Sequence, residues 1–122
     1  MSAPNLVNVT SILGKLYVAN LGTTATTALV ANGNNSDKLL KINSIIVANK
    51  DGTNAATVTI SVHDGSNDYY LASTVSVPAD ATLVVIGKDS PIYLPENHTI
   101  RGGASATGDL DVVISYEELD DA

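Results

Sequence analysis

The chain has no cysteine. That excludes disulfides, thiolate nucleophiles and cysteine-ligated metal sites. Tryptophan and phenylalanine are also absent, and five tyrosines are the whole aromatic complement. The core must therefore be aliphatic, and a sugar site built on stacked aromatic platforms has little to draw on. Basic residues are few and scattered: Lys15, Lys38, Lys41, Lys50, Lys88 and Arg101. With a net charge of −7, the chain lacks the clustered cations that bind a phosphate backbone or an anionic membrane surface, so neither nucleic acid nor membrane is an expected partner. No apolar run approaches the roughly 20 residues of a spanning helix. The N-terminus lacks the charged region and long apolar run of a secretory signal, and the expectation is a soluble protein made in a cytoplasm.

What is present is apolar patterning of period two. Hydrophobic residues make up 44% of the 122 positions, enough for one domain with a real core. In Thr57–His63, Val58, Ile60 and Val62 alternate with Thr59, Ser61 and His63, which is a half-buried strand. Leu110, Val112, Ile114 and Tyr116 alternate in the same way with Asp111, Ser115 and Glu117, and Val113 breaks the polar face. The apolar phase of Lys38–Lys50 shifts near Asn43-Ser44, which predicts a bulge. Ala81–Gly87 is almost continuously apolar and reads as a central strand. Tyr69–Val77 reads as a regular strand with Leu71, Ser73, Val75 and Val77 on one side.

Turn signals separate these runs: Asp51-Gly52, Asp64-Gly65, Pro78-Ala79-Asp80, Asp89-Ser90-Pro91 and the polar loop Asn32–Asp37. No segment carries a helical stripe. The reading is an all-β protein, an antiparallel two-sheet β-sandwich of about eight strands. An Ig-like and a jelly-roll strand order remain equally open. The expected organisation is an N-terminal arm or first strand over 1–13, the sandwich over 14–119 and an acidic tail over 120–122.

The residues with chemical potential do not form a reactive constellation. His63 and His98 each sit beside a turn, with no nucleophile at a telling spacing. Asp109 and Asp111 share a strand face, but a loop converging several oxygens on a cation is missing. The glycine-rich run Arg101–Gly108 leads into a strand instead of a helix, so it reads as a hairpin connection and not as a phosphate cradle. No catalytic residue, metal ligand or cofactor site is expected, and the chain is not expected to be an enzyme. The expected contacts are made by surface apolar groups: Leu6, Val7, Val9 and Ile12 near the N-terminus, and the pair Tyr69-Tyr70. One of those tyrosines must face each side of its strand, and the outward one offers rigid amphipathic area.

Several short motifs recur together here. They are Asn49 with Asp51-Gly52-Thr53; Val77-Pro78-Ala79; Lys88-Asp89 followed by Ile92-Tyr93-Leu94; Ile100-Arg101; and Ser115-Tyr116-Glu117-Glu118. In this order they resemble a group of small virion proteins of tailed bacteriophages, of the kind found in marine and cyanobacterial phages. The likeness covers roughly residues 40–119. It departs from the group at Glu96-Asn97-His98, where an acidic Glu-Gly-Asp type step is usual. The resemblance implies a non-enzymatic structural component located in the virion, with a capsid decoration (cement) protein as first reading. Its implied partners are the major capsid protein or other virion proteins and further copies of itself, a trimer among the options. The alternatives are a tail, neck or baseplate accessory protein and a carbohydrate- or receptor-binding sandwich module.

Overall fold

A computed structural model describes residues 11–120 of the chain. Among these residues there are nine strands and no helix. They are β1 (Ser11–Asn20), β2 (Ala28–Asn32), β3 (Lys38–Asn49), β4 (Ala56–His63), β5 (Asp68–Val77), β6 (Thr82–Ile86), β7 (Ile92–Leu94), β8 (His98–Ala104) and β9 (Leu110–Asp120). All pairings are antiparallel. One sheet has the order β1-β9-β3-β6, with β7 pairing the first half of β3, and the other has the order β2-β8-β4-β5. The chain thus alternates between sheets at β1-β2-β3-β4, forms a hairpin at β4-β5, crosses to the first sheet for both β6 and β7, and alternates again at β8 and β9. That order is a jelly roll, which decides between the two orders the patterning left open.

The core is aliphatic, as the composition requires. Ile42, Ile45, Val47, Leu110, Val112 and Ile114 from the first sheet meet Val58, Ile60, Val77 and Ile100 from the second, each 0–1% exposed. The bulge expected near Asn43-Ser44 is there: the register of β3 on β9 slips between Ile42 and Ser44, which keeps both Ile42 and Ile45 facing inward.

Three local expectations are corrected. β6 is an edge strand, not a central one. Its unbroken apolar run arises because Leu83 and Val85 pack against the core while Val84 faces outward. β5 is not regular. Its pairing with β4 slips twice, between Val58 and Ile60 and between Ile60 and Ser61, so Ala72 turns inward while Leu71 and Val75 stay at the surface. Thr74 lies in one slip at φ 46°, a strained position for a β-branched residue. The first half of the glycine-rich run, Arg101 to Ala104, is strand and not connection. Gly102 and Gly103 lie inside β8 and are buried, because their neighbours leave no room for a side chain. A Cβ on Gly102 would meet Ile60 Cδ1 at 2.6 Å, and one on Gly103 would meet the Thr24 carbonyl at 2.8 Å.

Two buried asparagines close the ends of the sandwich. Asn49 ends β3, and its Nδ2 donates to Asn54 O (3.0 Å) and Val77 O (2.9 Å) while its Oδ1 accepts from Asp51 N (2.9 Å). Asn32 ends β2, donates to Lys38 O (2.9 Å) and Leu94 O (2.8 Å), and accepts from Ser36 Oγ (2.5 Å). Each satisfies buried backbone carbonyls that the sheets leave over.

Candidate interaction surface

The outer face of the first sheet carries an apolar band in register across four strands. Val18 lies opposite Val113, Val113 opposite Ile46, and Ile46 opposite Val84. Facing residues in antiparallel pairs share a side of the sheet, so these four form one row. Val18 is 61% exposed and Val84 58%, whereas the middle pair is partly covered. Leu16, 65% exposed, lies on the same face one step along. Further on, Ile12 sits opposite Leu119, and Leu119 opposite Leu39. Leu39 and Leu119 are buried but lie apart from the main core. A shallow open groove of about 370 Å³ runs between β1 and β9 over Val18 and Val113, with Asn20 and Asp111 at its rim.

The charged groups of this face are matched. Asp111 accepts from Asn20 Nδ2 at 2.9 Å and pairs with Lys50 at 3.3 Å. The Asn20 amide, then Lys50, hold its carboxyl below the usual carboxylate range. Lys41 lies opposite Glu117. On the opposite side of the sheet, in the phase of Tyr116, Glu118 pairs with Lys15 at 3.3 Å and Lys38 at 3.4 Å. The acidic C-terminal strand is therefore largely neutralised where it meets its neighbours.

Of the residues expected to make contacts, Ile12 falls on this face, 62% exposed. Leu6, Val7 and Val9 lie outside the described residues. Tyr69 and Tyr70 are elsewhere, at the start of β5 in the second sheet. Tyr69 lies opposite inward-phased Val62, and Tyr70 opposite outward-phased Ser61. Both rings are mostly exposed. The structure does not bring them together with Ile12, since they occupy different sheets.

Sequence reasoning missed a polar cluster beside Tyr70. Asp68 Oδ1 lies 3.1 Å from His63 Nδ1 and accepts from Ser61 Oγ at 3.5 Å, while its Oδ2 accepts from Arg101 Nη1 at 3.5 Å. Serine, histidine and aspartate are the residues of a hydrolytic triad, but the wiring differs. Here the carboxylate is the hub and no hydrogen bond joins serine to histidine, so nothing draws the proton from the hydroxyl. The cluster pins the β4–β5 hairpin to β8. Among the described residues no group of three or more His, Cys, Asp or Glu is placed to hold a metal.

No protein-family model and no curated protein matches the chain. A solved structure does share the fold. A protein of Bacillus endospore appendages, a family of disulfide-linked pili, is 15% identical with a TM-score of 0.52, covering 92% of this chain and 90% of that one. Without cysteine, this chain cannot form such links. Two looser likenesses are to viral proteins. One is a pentameric capsid protein from metagenomic phage sequences (16% identity, TM-score 0.39, 98% of this chain and 67% of that one). The other comes from a virus-like particle of Macrobrachium rosenbergii extra small virus (8% identity, TM-score 0.44, 97% and 86%). At these identities the appendage protein supports the jelly roll as a fold and nothing finer. The two viral likenesses are too loose to add to that.

Proposed function

We propose that this chain is a non-enzymatic structural protein of a bacteriophage virion, a capsid decoration protein that stabilises the shell through protein–protein contacts. The observation that carries the reading is the ordered set of motifs over residues 40–119. The structure gives those motifs a physical meaning. Asn49, Asp51 and Val77 meet at one joint: Asn49 Nδ2 donates to Val77 O, Asn49 N to Ala81 O, and Asp80 N to Asp51 O. Ile100 is core and Arg101 holds Asp68. Tyr116 packs on the core, and Glu118 binds two lysines. These motif residues build the fold, while others of the set, Lys88, Asp89 and Tyr93 among them, are exposed.

Two further features suit the role. The matched charges leave the outer face of the first sheet locally neutral on an acidic molecule, and its apolar rows offer area to a neighbour without like-charge repulsion. The polar hub at Asp68 locks a hairpin instead of activating a nucleophile. The test is the copy number of this chain in purified particles, relative to the major capsid protein, by quantitative mass spectrometry. The decoration reading requires a ratio set by the capsid lattice. A few copies per particle would assign the chain to the tail, neck or baseplate. Absence from particles would break the virion reading and reopen the carbohydrate- or receptor-binding module.

A further inference from the structure

The two sheets have five strands at their edges, and four of them are protected. β2, β6 and β7 are only five, five and three residues long, and β5 is bent by its two slips. Short length and bulges are the usual devices that stop an edge from recruiting another strand. β1 has neither. It runs ten residues from Ser11 to Asn20, and its register on β9 is unbroken. Its other side has no strand partner among the described residues. Ile12, Leu13, Leu16 and Val18 are all exposed along it. Its single charge is Lys15, already paired with Glu118, and it carries no acid.

We propose that β1 pairs antiparallel with β1 of a second copy of this chain, about a two-fold axis perpendicular to the sheet. Such an axis keeps outer face beside outer face, so residues of equal phase must lie opposite each other, and a slip by one residue is excluded. Among the remaining registers, one centred on Lys15 sets lysine against lysine, which is destabilising. Centring on Gly14 or Tyr17 shortens the pairing to seven residues of the strand. Centring on Leu16 pairs all nine residues from Ile12 to Asn20, over about 30 Å. It sets Leu16 against Leu16 of the second copy and Lys15 beside Tyr17, a cation next to an aromatic ring. The strand is thus its own complement, which is why the occupant is a second copy and not an unrelated segment. Both four-strand orders then join into one sheet, and the outer apolar face becomes continuous across the dimer.

This inference is independent of the virion reading and is tested on the purified full chain alone. Sedimentation velocity over a concentration series should show a monomer–dimer equilibrium. Leu16→Lys should weaken it at least tenfold, while Tyr70→Lys on the other sheet should leave it unchanged. The absence of native cysteine permits a register test. Directly opposite Cα atoms in an antiparallel pair are about 4.5–5.5 Å apart, within disulfide reach. Leu16→Cys should therefore cross-link to a dimer on mild oxidation, and Leu13→Cys, six residues out of register with its own copy, should not. Circular dichroism of each variant checks the fold. If Leu16→Lys fails to fold, the cysteine pair still decides. A wild-type chain that is monomeric at every concentration would overturn the proposal. So would a dimer insensitive to Leu16→Lys, or cross-linking as efficient at position 13 as at 16.

Discussion

Single residues decide whether the ends of this sandwich close. Asn49 is the clearest case, because one buried amide serves three backbone groups, two in the loop after β3 and one at the end of β5. Asn49→Ala removes all three bonds, two of them to backbone carbonyls and one from a backbone N–H. The expected cost is about 3 kcal/mol, read as a lower urea midpoint with unchanged slope. Gly103 is decided by space. A methyl there meets the Thr24 backbone at 2.8 Å, and backbone cannot swing aside as a side-chain tip can. Gly103→Ala should destabilise the fold by about 2 kcal/mol, measured the same way. Asn49 was legible as the residue before a turn. The reason for Gly103 was not, since the run Arg101–Gly108 has loop composition and only the approach of Thr24 and Ala25 shows why glycine is needed in a strand. The Asp68 hub was also out of reach, because Arg101 is 33 residues away in sequence and no local pattern joins them.

At the scale of elements, the alternation of apolar residues carried most of the fold. It marked β4 and β9 outright, and the phase break at Asn43-Ser44 located the bulge of β3. It failed at β5 for a physical reason. A slip in pairing is set by the partner strand, so Leu71, Ser73 and Val75 look regular until β4 is laid beside them. It failed at β6 because a run that is apolar on both sides looks the same whether its outer side meets a layer of the fold or an exposed row such as Val18–Val113–Ile46–Val84. The β5 irregularity is itself testable. Thr74 holds φ 46°, with its N–H bonded to Thr59 Oγ1 at 3.1 Å. Thr74→Gly keeps that bond and removes the steric penalty of a branched side chain. It should raise stability by about 0.5–1 kcal/mol, seen as a higher thermal midpoint. An unchanged or lower midpoint would mean that the bulge tolerates threonine without strain.

For the whole molecule, charge sets the response to acid. The carboxyl of Asp51 is held below its ordinary value by the N–H groups of Thr53 and Asn54, that of Asp64 by Asn67 and Ser66, and that of Asp111 by Asn20 and then Lys50. A carboxyl depressed in the folded state stabilises the fold at pH above its unfolded value, 3.8 here, and that contribution is lost as pH falls through the folded value. No loss from these three groups is expected between neutral pH and about pH 5, and a progressive loss is expected below pH 4. Urea midpoints taken across that range check it, and a decline already complete by pH 5 would assign the acid response to other groups.

The central claim is that this jelly roll works by contact, as a shell-stabilising protein. Its most direct test is to add the purified chain to capsids stripped of it, or assembled without it, and to measure bound copies per major capsid protein by sedimentation together with the temperature at which the shells open. The account predicts saturation at a ratio fixed by the capsid lattice and a higher opening temperature at saturation. Binding that never saturates at such a ratio, or saturation that leaves the opening temperature where it was, would contradict it.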